Sequence, residues 1–105
     1  MGRIVIVAYK PQPGREKELE ELTETHLQIL KSEKLVTDRE PIIMRSQDGT
    51  IVEVFEWKSN VAIEMAHSNT AVQAMWQKYA EVCQYVPIAK LEESSELFSE
   101  FTPVN

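Results

Sequence analysis

Cysteine is nearly absent. Cys83 is the one thiol in 105 residues, so no internal disulfide can form, and its neighbours have neither Cys-x-x-Cys nor metal-ligand spacing. A reducing cytosol is the expected setting. Basic residues are scarce too: eleven Lys and Arg face seventeen Asp and Glu, for a net charge of −6. No Lys/Arg cluster stands out, so nucleic-acid backbones and anionic membrane surfaces are repelled rather than bound. Long apolar runs are missing as well. Residues 4–9 are too short for the core of a signal peptide and lack a small-residue cleavage site after them, and Ile6 stands where a myristoylation signal needs Ser or Thr. Neither a targeting segment nor a membrane association is expected, and there are no internal repeats, low-complexity tracts or linkers.

What is present is ordinary globular material, 43% hydrophobic and 27% charged, which excludes disorder and predicts one soluble domain. Residues 4–9 form a β-branched run ended by Pro11, Pro13 and Gly14, which predicts strand then loop. Over 15–34, Leu19, Leu22, Ile29 and Leu30 recur at helical spacing, with glutamates early and Lys31 and Lys34 late, in the sense the helix dipole favours. Residues 41–46 read as a second strand, Asp48-Gly49 as a two-residue hairpin turn and 51–57 as a third strand. That turn pairs Arg45 with Val52, Met44 with Glu53, Ile43 with Val54 and Ile42 with Phe55. Ser59 is a helix N-cap, and Ser68, Asn69 and Thr70 interrupt the second helix, which restarts from a Thr70/Gln73 capping box. A fourth strand is expected over 86–92, opened by Pro87, and Leu97, Phe98 and Phe101 follow at helical spacing. The domain is expected over 1–93, with 94–105 an extension packing on it or on a dimer partner.

This order, β-α-β-β-α-β, is the split arrangement in which both helices cover one face of a four-stranded antiparallel sheet: an α+β, ferredoxin-like subunit. All four strands are apolar on both faces, so the second face needs cover. Its projected area is on the order of 400 Å². At roughly 25 cal/mol per Å², hiding it contributes on the order of 10 kcal/mol per subunit before association costs. A homodimer through the sheet face is the expected solution.

The stretch 53–83, in which Phe55, Glu56, Trp57, Lys58 and Ser59 lead into Ala62, Ile63, His67 and then Val72 and Trp76, resembles the antibiotic-biosynthesis-monooxygenase family of the dimeric α/β-barrel superfamily. The resemblance implies that two such sheets pack into a barrel, with a small-molecule cavity between each sheet and its helices. Members include oxygenases that need no metal or flavin, haem-degrading enzymes and proteins without known activity. The haem-degrading branch carries an Asn on strand one, and a Trp early and a His late in helix two. Here Ala66 and Trp76 stand at the last two positions and strand one has no Asn, which disfavours haem. No cofactor and no metal is expected.

Only two histidines are available for acid–base work. His67 shares a face with Ile63 where the second helix breaks, so it could act as base or hydrogen-bond partner in a cavity, or simply cap the break. His26 interrupts the apolar stripe of helix one between Leu22 and Ile29 and must find partners there. It is either a satisfied core residue or a second cavity group. Phe55, Trp57, Trp76 and Tyr79 are candidate ligand-binding aromatics, although Trp76 and Tyr79, with Met75, equally suit a helix–sheet core. Glu53 and Glu56 point to opposite faces, and ion pairs with Arg45 or Arg3 are the expected way to hold them. Two functions remain open: a cofactor-independent monooxygenase acting on an aromatic or polycyclic substrate, or a non-catalytic dimeric ligand-binding or stress-related module.

Overall fold

The computed structural model describes residues 2–105. β1 (Arg3–Pro11) runs into α1 (Glu16–Ser32), then β2 (Ile42–Arg45), β3 (Ile51–Trp57), α2 (Asn60–Ala66), α3 (Thr70–Val82), β4 (Cys83–Val86) and, after two short 3₁₀ turns, β5 (Thr102–Pro103). The chain is α+β. Its antiparallel sheet has five strands in the order β4-β1-β3-β2-β5, not the expected four, because the tail adds a short edge strand.

α1 begins with Glu16 and Glu18 in its first turn and ends near Lys31, as the charge pattern predicts. Its buried stripe is Leu19, Thr23, His26, Leu27 and Leu30. Lys34 turns the chain out of the helix at φ +60, a left-handed conformation that ends helices, and the Leu35 amide donates back to the Leu30 carbonyl at 3.0 Å.

The hairpin differs by one residue from the two-residue turn. The Ser46 amide donates to the Thr50 carbonyl at 2.9 Å and the Gly49 amide to the Ser46 carbonyl at 3.1 Å. Gln47, Asp48 and Gly49 therefore form a three-residue loop, with Gly49 at φ +92 in the position that favours glycine. Asp48 closes it, accepting from the Thr50 amide at 2.9 Å and from the Ser46 hydroxyl. These hydrogen bonds, the Ser46 one foremost, hold its carboxyl below the usual range. The pairs are accordingly Arg45 with Ile51, Met44 with Val52, Ile43 with Glu53 and Ile42 with Val54. A one-residue slip exchanges the faces of a strand, so β2 sends Ile43 to the helix side and Ile42 and Met44 to the far side.

The second helix is two helices. Ser59 caps α2 as expected, its hydroxyl accepting from the Ala62 amide at 3.1 Å. The cap of α3 is Asn69 rather than the Thr70/Gln73 box: Asn69 Oδ1 accepts from the Val72 amide at 3.0 Å, while Gln73 Nε2 donates to the Ala66 carbonyl at 3.2 Å. β4 follows α3 without a linker and stops before Pro87, so the expected strand over 86–92 begins three residues too late and its middle, Ile88–Lys90, is a 3₁₀ turn.

Register with β1 divides the sheet. Val5, Val7 and Tyr9 oppose Phe55, Glu53 and Ile51 on the helix side, and Ile4, Ile6 and Ala8 oppose Glu56, Val54 and Val52 on the other. The helix side holds the main core. The far side is not bare, in contrast to the expectation. The tail crosses it, and Leu91, Ile88 and Phe101 pack on Ala8, Val52, Met44 and Val86. It leaves Ile4, Ile6 and Ile42 each more than half exposed. Phe101 is the tail residue that seals this smaller core without helical structure, while Leu97 and Phe98 stand out in solvent. Among the described residues, no helix is long and apolar enough to cross a membrane.

Phe101 is only partly buried, so Phe101→Ala is expected to cost about 1–3 kcal/mol, below the range for a fully buried phenylalanine. Urea unfolding checks it, and an unchanged midpoint would mean that the tail does not seal the far side.

Candidate functional site

Between the helices and the sheet lies a cleft of about 380 Å³, within the size range of small-molecule sites. Its sheet wall is Val5, Val7 and Tyr9 of β1, Phe55 and Trp57 of β3, and Tyr85 of β4. The helices supply His26, His67, Gln73 and Trp76. A wider, shallower groove of about 620 Å³ shares Gln73, Trp76 and Tyr85 with the cleft and runs past Gln77, Ala80 and Cys83. Trp76 and Tyr85 thus stand where the cleft meets the outer surface.

Behind the apolar lining is a hydrogen-bonded chain. Glu53, on the central strand β3, is fully buried. Its Oε1 accepts from the Tyr9 hydroxyl at 2.8 Å and lies 2.8 Å from His26 Nδ1. At the other edge of that imidazole, Trp76 Nε1–H donates to His26 Nε2 at 3.3 Å. An indole nitrogen can only donate. Nε2 is therefore the acceptor, the ring proton sits on Nδ1, and that proton is donated to Glu53. The second carboxylate oxygen, Oε2, and the Tyr79 hydroxyl are buried with no hydrogen-bond partner among the described residues.

His67 caps α2, and its Nδ1–H donates to the Ile63 carbonyl at 2.8 Å. That bond fixes the same tautomer in a more exposed ring, with Nε2 free as an acceptor. Its ring meets Trp76 edge-on at 5.6 Å. The two histidines found in sequence thus reach one cleft, on either side of one tryptophan.

The tyrosines cannot take the role of base. Burial, then the charge on Glu53, pushes the Tyr9 hydroxyl well above its ordinary pKa, and burial does the same to Tyr79. Tyr85, closer to solvent, is raised by burial to about 12. At neutral pH all three remain protonated, and the ring nitrogens that the hydrogen bonds leave as acceptors are Nε2 of His26 and of His67.

Of the candidate aromatics, Phe55, Trp57 and Trp76 line the cleft, and Tyr79 does not. One turn beyond Trp76, Tyr79 stacks on Tyr9 at a centroid distance of 4.8 Å and is fully buried, so it packs behind the lining. Met75 is core as well. The ion pairs also differ from expectation. Glu53 meets no arginine; Arg45 reaches Glu20 on α1 at 3.0 Å, because the hairpin register carries it to the helix side. Glu56 accepts from Arg39 at 3.0 Å and from the Thr37 hydroxyl at 2.9 Å, which together hold its carboxyl below the usual range. Val5, Val7, Tyr9, Tyr85 and Gln73 are lining residues that helix and strand periodicity did not single out. Parity along β1 was the available signal for three of them, since they oppose Phe55, Glu53 and Ile51.

Among the described residues there is no group of three or more His, Cys, Asp or Glu that could hold a metal ion. Cys83 donates its thiol hydrogen to the Tyr79 carbonyl at 3.1 Å, and burial raises its pKa from 9.0 to about 11. Two pKa units reduce the thiolate fraction ~100-fold. At pH 8 the native protein is expected to react with iodoacetamide at least ~10-fold more slowly than the urea-unfolded chain. Equal rates would show an ionised, accessible thiol.

No protein-family model matches the chain, and neither does any curated protein or solved structure.

Proposed function

We propose that this protein binds a planar aromatic or polycyclic molecule in the cleft and, as an enzyme, oxidises it with dioxygen in the manner of cofactor-independent monooxygenases. The observation that carries this is the pairing of an apolar aromatic cleft with two imidazole Nε2 acceptors whose tautomers are set by neighbours. Flat apolar walls of Phe55 and Trp57 suit ring systems. Imidazole acceptors suit an acidic hydroxyl. His67 Nε2, the exposed acceptor, takes the ligand's phenolic or enolic proton. The resulting anion passes one electron to dioxygen, the two radicals join in a carbon–oxygen bond, the peroxide anion so formed takes back the proton held by His67, and the carbon hydroperoxide loses water to leave a carbonyl. One oxygen atom ends in the product and one in water, and a ring CH₂ becomes C=O with four electrons lost from carbon. A non-catalytic ligand-binding or stress-related module would use the same cleft without the oxygen step.

The subunit is read as ferredoxin-like and the assembly as a dimeric α/β barrel, resembling the antibiotic-biosynthesis-monooxygenase family. What supports this is the β-α-β-β-α-β order of the first four strands, with both helical segments on one face. The homodimer is supported by Ile4, Ile6 and Ile42, exposed by 54–58% on the face opposite the helices.

Two measurements test these points. With an anthrone- or quinol-type substrate, the protein is expected to consume oxygen stoichiometrically with product, and His67→Ala to lower the rate ~10²–10⁴-fold, the usual range for a lost general base. Binding without oxygen uptake favours the non-catalytic module. In sedimentation at micromolar concentration the native protein is expected as a pair and Ile6→Lys as single subunits. A native protein that sediments as one subunit contradicts the barrel.

A further inference from the structure

The bond between Trp76 and His26 is the weakest link of the buried chain. At 3.3 Å it is longer than the two 2.8 Å contacts on Glu53, and its donor belongs to a side chain only half buried at the mouth of the cleft. The acceptor, by contrast, is rigidly presented. His26 is buried, its Nδ1–H is held by Glu53, and its ring is met edge-on by Phe55 and Tyr79 at 5.4 Å each. Trp76 has edge contacts with Trp57 at 6.5 Å and His67 at 5.6 Å, and no other hydrogen bond from its indole. A fixed acceptor therefore faces the cleft with a longer-bonded, partly exposed donor laid across it. Desolvated acceptors are costly to leave unpaired, and the indole N–H satisfies this one when the cleft holds no ligand.

We infer that the Trp76 indole N–H is a placeholder for a ligand hydroxyl on His26 Nε2, a hydroxyl other than the one whose proton passes to His67, and that this exchange selects aromatic ligands bearing such an O–H donor over those that lack one. The inference rests on the small-molecule reading above and deepens it by naming the group that is recognised. A ligand with a phenolic or enolic hydroxyl trades one N–H···N bond for an O–H···N bond and enters without stranding the imidazole. A ligand of the same shape without the hydroxyl must either leave Trp76 in place, in a smaller cleft, or move it and leave Nε2 unpaired. Trp76 is thus a specificity-determining residue, and Glu53 a positioning residue that keeps Nε2 free of its own proton.

The probes are 1-naphthol and 1-methoxynaphthalene, of like shape, with binding followed by calorimetry and by the Trp76 indole N–H resonance, assigned from its loss in Trp76→Phe. In the native protein 1-naphthol is expected to bind at least several-fold more tightly and to move that resonance, while 1-methoxynaphthalene binds with a smaller change. In Trp76→Phe the internal competitor is gone, so the naphthol is expected to bind several-fold more tightly than it does to the native protein. Two results overturn the inference while leaving a ligand cleft intact: both probes bind and the indole resonance stays fixed with naphthol bound, or naphthol binds no more tightly to Trp76→Phe than to the native protein. If neither probe binds the native protein, both the inference and the reading beneath it fail. Should the variant be poorly folded, the indole resonance is assigned in the native protein from its nuclear Overhauser contacts, and the native experiment still decides the matter.

Discussion

Glu53 sits in the middle of the central strand with no solvent contact, and a carboxylate in that position is tolerable only with donors on it. A buried charge that loses its partner costs about 3–5 kcal/mol. Tyr9 from the neighbouring strand and His26 from α1 both come to the same oxygen. This requirement ties three elements together: β1 must pair so that Tyr9 falls on the helix side, and α1 must turn His26 inward although a leucine would pack there more simply. The rest of the cleft is arranged around the imidazole so fixed. A well-packed apolar residue at position 53 would spare the desolvation cost, and what Glu53 does in return is hold the proton of His26 on Nδ1.

The sheet's alternation separates two tasks. One face carries the polar chain and the aromatic lining under α1, α2 and α3. The other is closed along one side by Leu91, Ile88 and Phe101 and left open at Ile4, Ile6 and Ile42. The tail therefore reduces the uncovered surface without removing it, and the remainder is where a second copy is proposed to sit. Because residues on one strand alternate between these faces, Ile6 and Val7 serve different ends of the molecule while adjacent in the chain.

Local chemistry made much of this legible in the sequence. The charge gradient and apolar spacing of α1 put its limits within two residues of 15–34, and Ser59 and the polar break at 68–70 located both ends of α2. Face parity along β3 was correct from alternation alone. The misses share a cause. Whether Asp48-Gly49 makes a two- or three-residue loop depends on where the Asp48 carboxylate finds donors, and the answer shifted β2 by one residue. The fourth strand and the tail were misplaced because their edges are set by distant partners, Pro11 for Cys83 and Met44 for Pro103. For the site, both histidines and three of the four aromatics reached the cleft. Glu53 was given the wrong partner because Tyr9 is 44 residues away and His26 is 27, contacts that no spacing rule reveals. Tyr79 has the same helical phase logic as Trp76 but is buried against the rings of Tyr9 and His26.

The tautomer of His26 is the point on which the chemistry turns. A long-range ¹H–¹⁵N correlation spectrum of the uniformly labelled native protein at pH 7.5 reads it directly. A proton on Nδ1 and an unprotonated Nε2 are the expected result. A proton on Nε2, or on both nitrogens, would mean that Glu53 and Trp76 do not present an acceptor to the cleft.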